Sequence, residues 1–306
     1  MGQREFNPGG SGASEAAWRL WMRAIRVHHW SKNALVFVPA VAAHALNDAA
    51  AWRSSVLAFL AFSLVASGSY LVNDILDRDA DREHPTRRAR PIASGALSIS
   101  AARAGAAGLI AGGLAIGGLG VNWPFAGVLS GYLVVTLWYS LRLKQRPVID
   151  ILCLAGLYTG RILGGSAATG IEPSFWLLAF SMLLFFSLAT AKRTTELSGV
   201  AARSEARAPG RGYEVGDLPL LIVFGVASAY ASVLLLALYV NARAEVLYAR
   251  PQLLWLLCPA LLYWVSRIWF KTYRQELHDD PVVFALTDRP SLAVALISVV
   301  LVWLAV

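Results

Sequence analysis

The feature that most constrains this chain is a series of apolar runs, each at or near the roughly 20 residues a helix needs to cross a bilayer core. They fall at 34–50, 52–76, 99–119, 124–141, 150–170, 174–191, 218–240, 251–268 and 290–306. No strand-like alternation of apolar and polar residues competes with them. Helices are therefore the spanning elements, because in lipid each backbone group must be satisfied within its own segment. Of 306 residues, 57% are hydrophobic and only 15% charged, with mean hydropathy +0.55. A soluble domain of this length carries more charge. The expected fold is all-α, an integral membrane bundle of about nine transmembrane helices. Residues 14–306 read as one membrane-embedded domain. Residues 1–13 are Gly/Ser-rich, read as a disordered N-terminus and lack a secretory apolar core. Between these, Trp18 to Arg26 reads as an amphipathic interfacial helix, with Trp18, Trp21, Met22 and Ile25 on one face and Arg19, Arg23 and Arg26 on another.

Charge orients the bundle. Of 27 lysines and arginines, 22 fall in one alternating set of segments, whereas the opposite loops hold Arg53, Arg243 and Arg250. The positive-inside rule puts the basic set in the cytoplasm. The net charge of +8 thus belongs to membrane orientation and anionic ligands, and no basic–aromatic interleaving points to nucleic acid. The basic loops are also the long, polar ones, where chemistry on a rigid scaffold usually sits. Cys153 and Cys258 lie in apolar runs and read as core residues, and the five histidines lack metal-ligand spacing. The stretch GGLAIGGLG (112–120) lies within a span and follows no strand, so its glycines read as close helix packing, not as a nucleotide loop.

The segment NDILDRDADREHPTRRARPIASG (73–95) carries the chemistry. On a helix, Asp74, Asp77 and Asp81 share one face, with Asn73 beside them. Their mutual repulsion is tolerable if a hard divalent cation sits among them. Magnesium suits such oxygens and commonly bridges carboxylates to substrate phosphates. Arg87, Arg88 and Arg90 follow directly, and guanidiniums beside carboxylates suit a magnesium–diphosphate complex. The alternative reading is a polar helix end, which the macrodipole disfavours for acidic residues at a C-terminus.

This segment resembles the first Asp-rich motif, N-D-x-x-D-x-x-x-D, of the UbiA superfamily of membrane prenyltransferases, and the similarity extends across most of the chain. HHWSKN (28–33), YSLRLK (139–144), PVID (147–150), AKRTTEL (191–197), RGY (211–213) and HDDPVVFA (278–285) resemble the polyprenyl-phosphate (decaprenyl-phosphate) phosphoribosyltransferase branch. The resemblance implies nine helices and a magnesium-bound diphosphate on a cytoplasmic face in the bacterial inner membrane. It further implies transfer of 5-phosphoribose from phosphoribosyl diphosphate to a polyprenyl phosphate whose chain leaves sideways into the bilayer. It leaves a homo-oligomer open. The alternative within the superfamily is transfer of a polyprenyl group from its diphosphate to an aromatic or other small acceptor. Such enzymes carry a second D-x-x-x-D motif, but here that place reads Lys192-Arg193-Thr-Thr-Glu196, a basic pair suited to more phosphate charge. A transporter would instead place ionisable groups at the midplane and show repeats.

Further candidates follow. Lys192 and Arg193 read as phosphate ligands, against an i, i+4 pair of Lys192 with Glu196. Lys144, five residues after Tyr139, reads either as a phosphate contact or as a snorkelling lysine. Asp150 follows Pro147 and suits a first helical turn. Arg161 lies three turns further along an apolar span, where an unpaired charge costs about 2.5–3.5 kcal/mol. It is expected to face the cavity and meet an anion, with Asp150 as an intermediate partner. Asp280 reads as an N-cap before Pro281, Asp279 as a second metal ligand, and Lys32 and Asn33 as ligand contacts through the resemblance.

Overall fold

The computed structural model describes residues 11–45, 47–83, 86–204, 206, 210–277 and 281–306, all strand-free. Seven helices are long and apolar enough to cross a membrane: Ala49–Leu76, Ile99–Val121, Trp123–Leu141, Ile149–Thr169, Phe175–Ala202, Val215–Ala242 and Pro251–Tyr273. An eighth span arises if Pro281–Thr287 and Arg289–Ala305, which meet at 78°, count as one. The chain is an integral membrane protein. The expected first span, 34–50, does not form. Its place is taken by a 3-10 helix, Val27–Phe37, and a five-residue helix, Val38–Ala42, with Pro39 in the first turn. Within the 3-10 helix Lys32, Asn33 and Val36 are buried, and at three residues per turn Asn33 and Val36 fall on one face.

We label the α-helices α1 (Ser11–Ala24), α2 (Val38–Ala42), α3 (Ala49–Leu76), α4 (Arg78–Glu83), α5 (Ile99–Ala115), α6 (Trp123–Leu141), α7 (Ile149–Thr169), α8 (Phe175–Ala202), α9 (Leu218–Leu247), α10 (Leu257–Tyr273), α11 (Pro281–Thr287) and α12 (Arg289–Ala305). Side-chain caps set several of the starts. Asp48 accepts from the amides of Ala50 and Ala51 at α3, Asn122 from Phe125 at α6, and Asp288 from Ser291 at α12. The Asn122 amide also donates to the carbonyls of Ala167 and Ala168, tying the start of α6 to the end of α7.

Small residues let the backbones approach, as expected for 112–120. A β-carbon on Gly113 would lie 2.8 Å from the Ala61 carbonyl oxygen of α3. Two apolar clusters flank α7. Phe62, Phe125 and Leu129 join α3 to α6 on one side, and Phe185, Ile268 and Trp269 join α8 to α10 on the other. α1 is helical from Ser11, so the disorder expected for 1–13 does not extend to 11–13, and residues 1–10 lie outside the described chain. Its apolar face is not simply laid on lipid. Trp21 and Ile25 pack with Leu71 and Ile92, while Trp18 stays exposed. Cys153 and Cys258 are half-buried and unbridged.

Candidate active site

The polar ends of α3, α6, α7 and α8 enclose a cavity of about 270 Å³. Helical periodicity explains how each wall is made. Tyr132, Thr136 and Tyr139 line it from α6 at i, i+4 and i+7, as do Leu154, Tyr158 and Arg161 from α7. From α8 come Leu188, Ala189, Lys192, Arg193 and Glu196.

The floor is built around Arg161, which is only 5% exposed. Its Nε donates to Asn33 Oδ1 (2.8 Å), Nη1 to the Leu157 carbonyl (2.6 Å) and Nη2 to the Tyr132 hydroxyl (2.8 Å). Its guanidinium carbon lies 4.9 Å from the Tyr132 ring centre and 5.4 Å from that of Tyr158. All these partners are neutral, and none of the described carboxylates pairs with it. The expected link from Arg161 to Asp150 is therefore absent, because their helical separation places them at opposite ends of the cavity. Asn33 is fixed in turn by Ser63 Oγ (3.0 Å), and Lys32 lies 5.7 Å from the Tyr158 ring. The 3-10 helix bearing both reaches α7 only because Gly165 has no side chain: a β-carbon there would overlap the Val36 carbonyl.

The rim is a charge network. Asp150 is fully buried at the start of α7 and accepts from Arg193 Nε and Nη2. The Tyr139 hydroxyl donates to Asp150 (2.8 Å) and accepts from Arg193 (2.7 Å) and Arg211 (2.9 Å). Arg193 pairs with Glu196 (2.5 Å). Just ahead of α7, Val148 has φ 66 and ψ −49, with the Ile149 amide donating to the Pro147 carbonyl at 2.7 Å. This is a strained γ-turn on a β-branched residue. The Val148 amide donates to the Tyr213 hydroxyl (3.1 Å), and burial, then the Asp150 charge, pushes that hydroxyl up to about 12. Gly212 allows this docking, since a side chain there would strike the Gln145 carbonyl.

The acidic motif is arranged differently from a single carboxylate face. α3 ends at Leu76 and α4 starts at Arg78, so the helical register breaks at Asp77. Asp77 faces the cavity, accepting from Asn73 (3.1 Å) and Lys144 (2.8 Å). Asp74 and Asp81 are buried behind it. Arg90 bridges them at 3.2 and 2.6 Å, and Arg26 reaches Asp74 at 2.5 Å. Cations of the protein itself thus offset the repulsion that the spacing alone left to a metal. Among the described residues no three or more His, Cys, Asp or Glu side chains gather to hold an ion.

Of the residues singled out from sequence, Lys32, Asn73, Asp77, Arg87, Tyr139, Lys144, Arg161, Lys192 and Arg193 line the cavity. Asn33 and Asp150 stand immediately behind it. Arg88 is exposed and does not line it, because in the short 3-10 turn its neighbour Arg87 takes the inward position. Asp279 and Asp280 lie outside the described residues. Arg90, set beside the carboxylates from sequence, lines the cavity as well, whereas sequence reasoning did not place Arg26, Arg211, Tyr132 or Tyr158 in the site. For Tyr132 a signal existed, a polar stripe shared with Thr136 and Tyr139. The lining totals nine lysines and arginines against two carboxylates, Asp77 and Glu196.

The UbiA prenyltransferase family model matches residues 34–287. The chain belongs to the UbiA prenyltransferase family. Among relatives of this UbiA protein, y4nM of Sinorhizobium fredii is 39% identical over 89% of the chain, which spans only 53% of that protein's length. Nodulation protein NoeC of Azorhizobium caulinodans is 34% identical, over 92% of this chain and 91% of NoeC. Decaprenyl-phosphate phosphoribosyltransferase of Corynebacterium glutamicum is 37% identical over 58% of this chain and 54% of its own. The structure of a UbiA homologue from Archaeoglobus fulgidus bound to GPP and Mg2+ superposes with TM-score 0.70, at 17% identity, over 93% of this chain and 99% of that one. The UbiA fold is thereby common to both.

Proposed function

We propose that this protein transfers 5-phosphoribose from phosphoribosyl diphosphate to a polyprenyl phosphate and releases diphosphate. One observation carries the reading: nine cations against two carboxylates around a cavity closed by a basic pair, Lys192 and Arg193, where an aromatic prenyltransferase would present aspartates. Two phosphate monoesters and a diphosphate leaving group need such a surplus. The partial likeness to a decaprenyl-phosphate phosphoribosyltransferase supports the same choice. The excess of Lys and Arg at this end supports a cytoplasmic position for it.

Magnesium fits in the manner usual for that ion, through one or two protein oxygens with phosphates completing the shell. Asp77, with the Asn73 amide beside it, is the donor set facing the cavity. Bound there, the ion would neutralise charge on the leaving diphosphate. The binding of Mg2+ by the Archaeoglobus homologue supports this assignment.

The protein's own groups perform the rest. Arg87, Lys192, Arg193 and Arg211 bind the donor phosphates, since fixed cations aimed at developing charge stabilise the transition state. Asp150 and Tyr139 keep Arg193 and Arg211 aimed inward. A lipid phosphate oxygen attacks the anomeric carbon as the bond to diphosphate breaks. The acceptor is already ionised at neutral pH, so no general base is needed. The test is to incubate purified protein with magnesium, a polyprenyl phosphate and phosphoribosyl diphosphate, and to seek the phosphoribosylated lipid by mass spectrometry. Wild type is expected to form it and Asp77→Asn to lose at least ~100-fold in rate. Consumption of a prenyl diphosphate with an aromatic acceptor, and no phosphoribosyl lipid, would overturn the reading in favour of prenyl transfer.

A further inference from the structure

Among the described residues, two largely apolar cavities besides the catalytic one have room for an isoprenoid chain. The larger, about 920 Å³, lies between α2, α8, α9 and α12. It shares no lining residue with the catalytic cavity, and no Lys, Arg or His lines it. The smaller, about 480 Å³, lies between α6 and α7. Apart from Tyr132 and Cys153, its lining is aliphatic or glycine.

The smaller groove meets the catalytic cavity at two residues, Tyr132 and Leu157, which line both. These two also supply the Tyr132 hydroxyl and the Leu157 carbonyl that hold Arg161. A buried guanidinium with neutral partners thus stands one side chain away from an aliphatic channel. The channel's walls are kept open by Gly131, Gly156 and Gly160, and a β-carbon on any of them meets nothing within 4 Å. Leu152 and Leu163, which border it, are 42% and 38% exposed, as expected of a face turned to lipid. Along α7 it extends from Ile149 to Leu163, about 21 Å at the helical rise.

From this juxtaposition we infer that Arg161, with Lys32 beside it, receives the phosphate of the acceptor lipid, and that the isoprenoid chain leaves the site between α6 and α7. The inference rests on the proposed reaction only for the identity of the lipid as acceptor. An anionic head with a long apolar tail needs a cation in low dielectric at one end and a bilayer-facing apolar channel at the other. Of these two cavities, the smaller groove offers both. Tyr132 then marks the crossing point, its hydroxyl on the phosphate side and its ring against Phe62 at 5.1 Å.

The test uses the full-length protein in nanodiscs with a polyprenyl phosphate carrying a diazirine in its third isoprene unit. After irradiation the labelled peptides are mapped by mass spectrometry. Label on 128–135 and 149–163 is expected, and label on α2, α8 or α12 instead overturns the inference in favour of the larger cavity. Photolabelling needs no transfer, so it stands or falls separately from the assay for the phosphoribosylated lipid. In parallel, Gly160→Leu puts a side chain into the channel from a position whose β-carbon meets nothing within 4 Å. It should raise the KM for a long-chain acceptor at least tenfold more than the KM for a two-isoprene acceptor. Equal effects on both acceptors, or none, would also overturn it.

Discussion

Arg193 shows how a single buried side chain depends on its neighbours. Its guanidinium binds Asp150, Tyr139 and Glu196 at once, and is itself almost fully buried. Removing one member of such a network leaves charge without compensation in low dielectric, a loss of about 3–5 kcal/mol for a buried pair. Asp150→Asn keeps the shape but strips the negative charge that holds Arg193 and Arg211. We expect a clear fall in the thermal midpoint in detergent, together with a drop of about 100-fold in transfer rate from misplaced phosphate ligands. Unchanged rate with a lowered midpoint would mean that Asp150 serves stability alone. Arg161 is the contrasting case. Its depth in an apolar run was legible from sequence, because ionisable groups are rare there. Its partners were not, since Asn33 stands 128 residues away in the chain and the link to Asp150 that spacing suggested does not form.

The turn between α6 and α7 works at the scale of an element. Val148 in a γ-turn with positive φ costs about 1–3 kcal/mol, and the conformation persists because Tyr213 and the Pro147 carbonyl fix both sides of it. Val148→Gly relieves the strain, less the entropy a glycine gives back on unfolding. A net gain of about 1 kcal/mol is expected in thermal unfolding, with several-fold lower activity because Asp150, two residues on, loses a fixed backbone. A variant both less stable and less active would show that the turn stores no strain. The long spans α3 and α5 to α10 were readable from apolar length alone. The segment 34–50 was not, because apolar content does not distinguish α from 3-10 winding, and Asn33 and Lys32 had to be drawn inward to meet α7. The break at Asp77 was equally hidden, since three aspartates at helical spacing look the same whether or not the helix continues. The tyrosines of α6 were within reach of periodicity, whereas Arg26 and Arg211 come from loops whose conformation no local pattern sets.

For the whole molecule, the question is whether metal belongs to the fold or to the reaction. Asp74 and Asp81 are buried at the junction of α1, α3, α4 and the segment 86–97, where uncompensated repulsion would open the bundle. Arg26 and Arg90 already provide the compensation, and Lys144 does the same for Asp77 across to the end of α6. Each acidic group is therefore paired without help from an ion, and the bundle's cohesion rests on its apolar clusters and close helix contacts. Stabilisation by a ligand that binds only the folded state grows with its concentration over its dissociation constant. A weak site of one carboxylate and one amide, completed by substrate phosphates, gives little of it when those phosphates are absent. Chelation with EDTA should accordingly abolish transfer while moving the thermal midpoint of the substrate-free protein by less than about 2 °C. Adding magnesium together with phosphoribosyl diphosphate should raise the midpoint by more than either does alone. A large fall on chelation alone would assign the ion a structural role and return Asp74 and Asp81 to it.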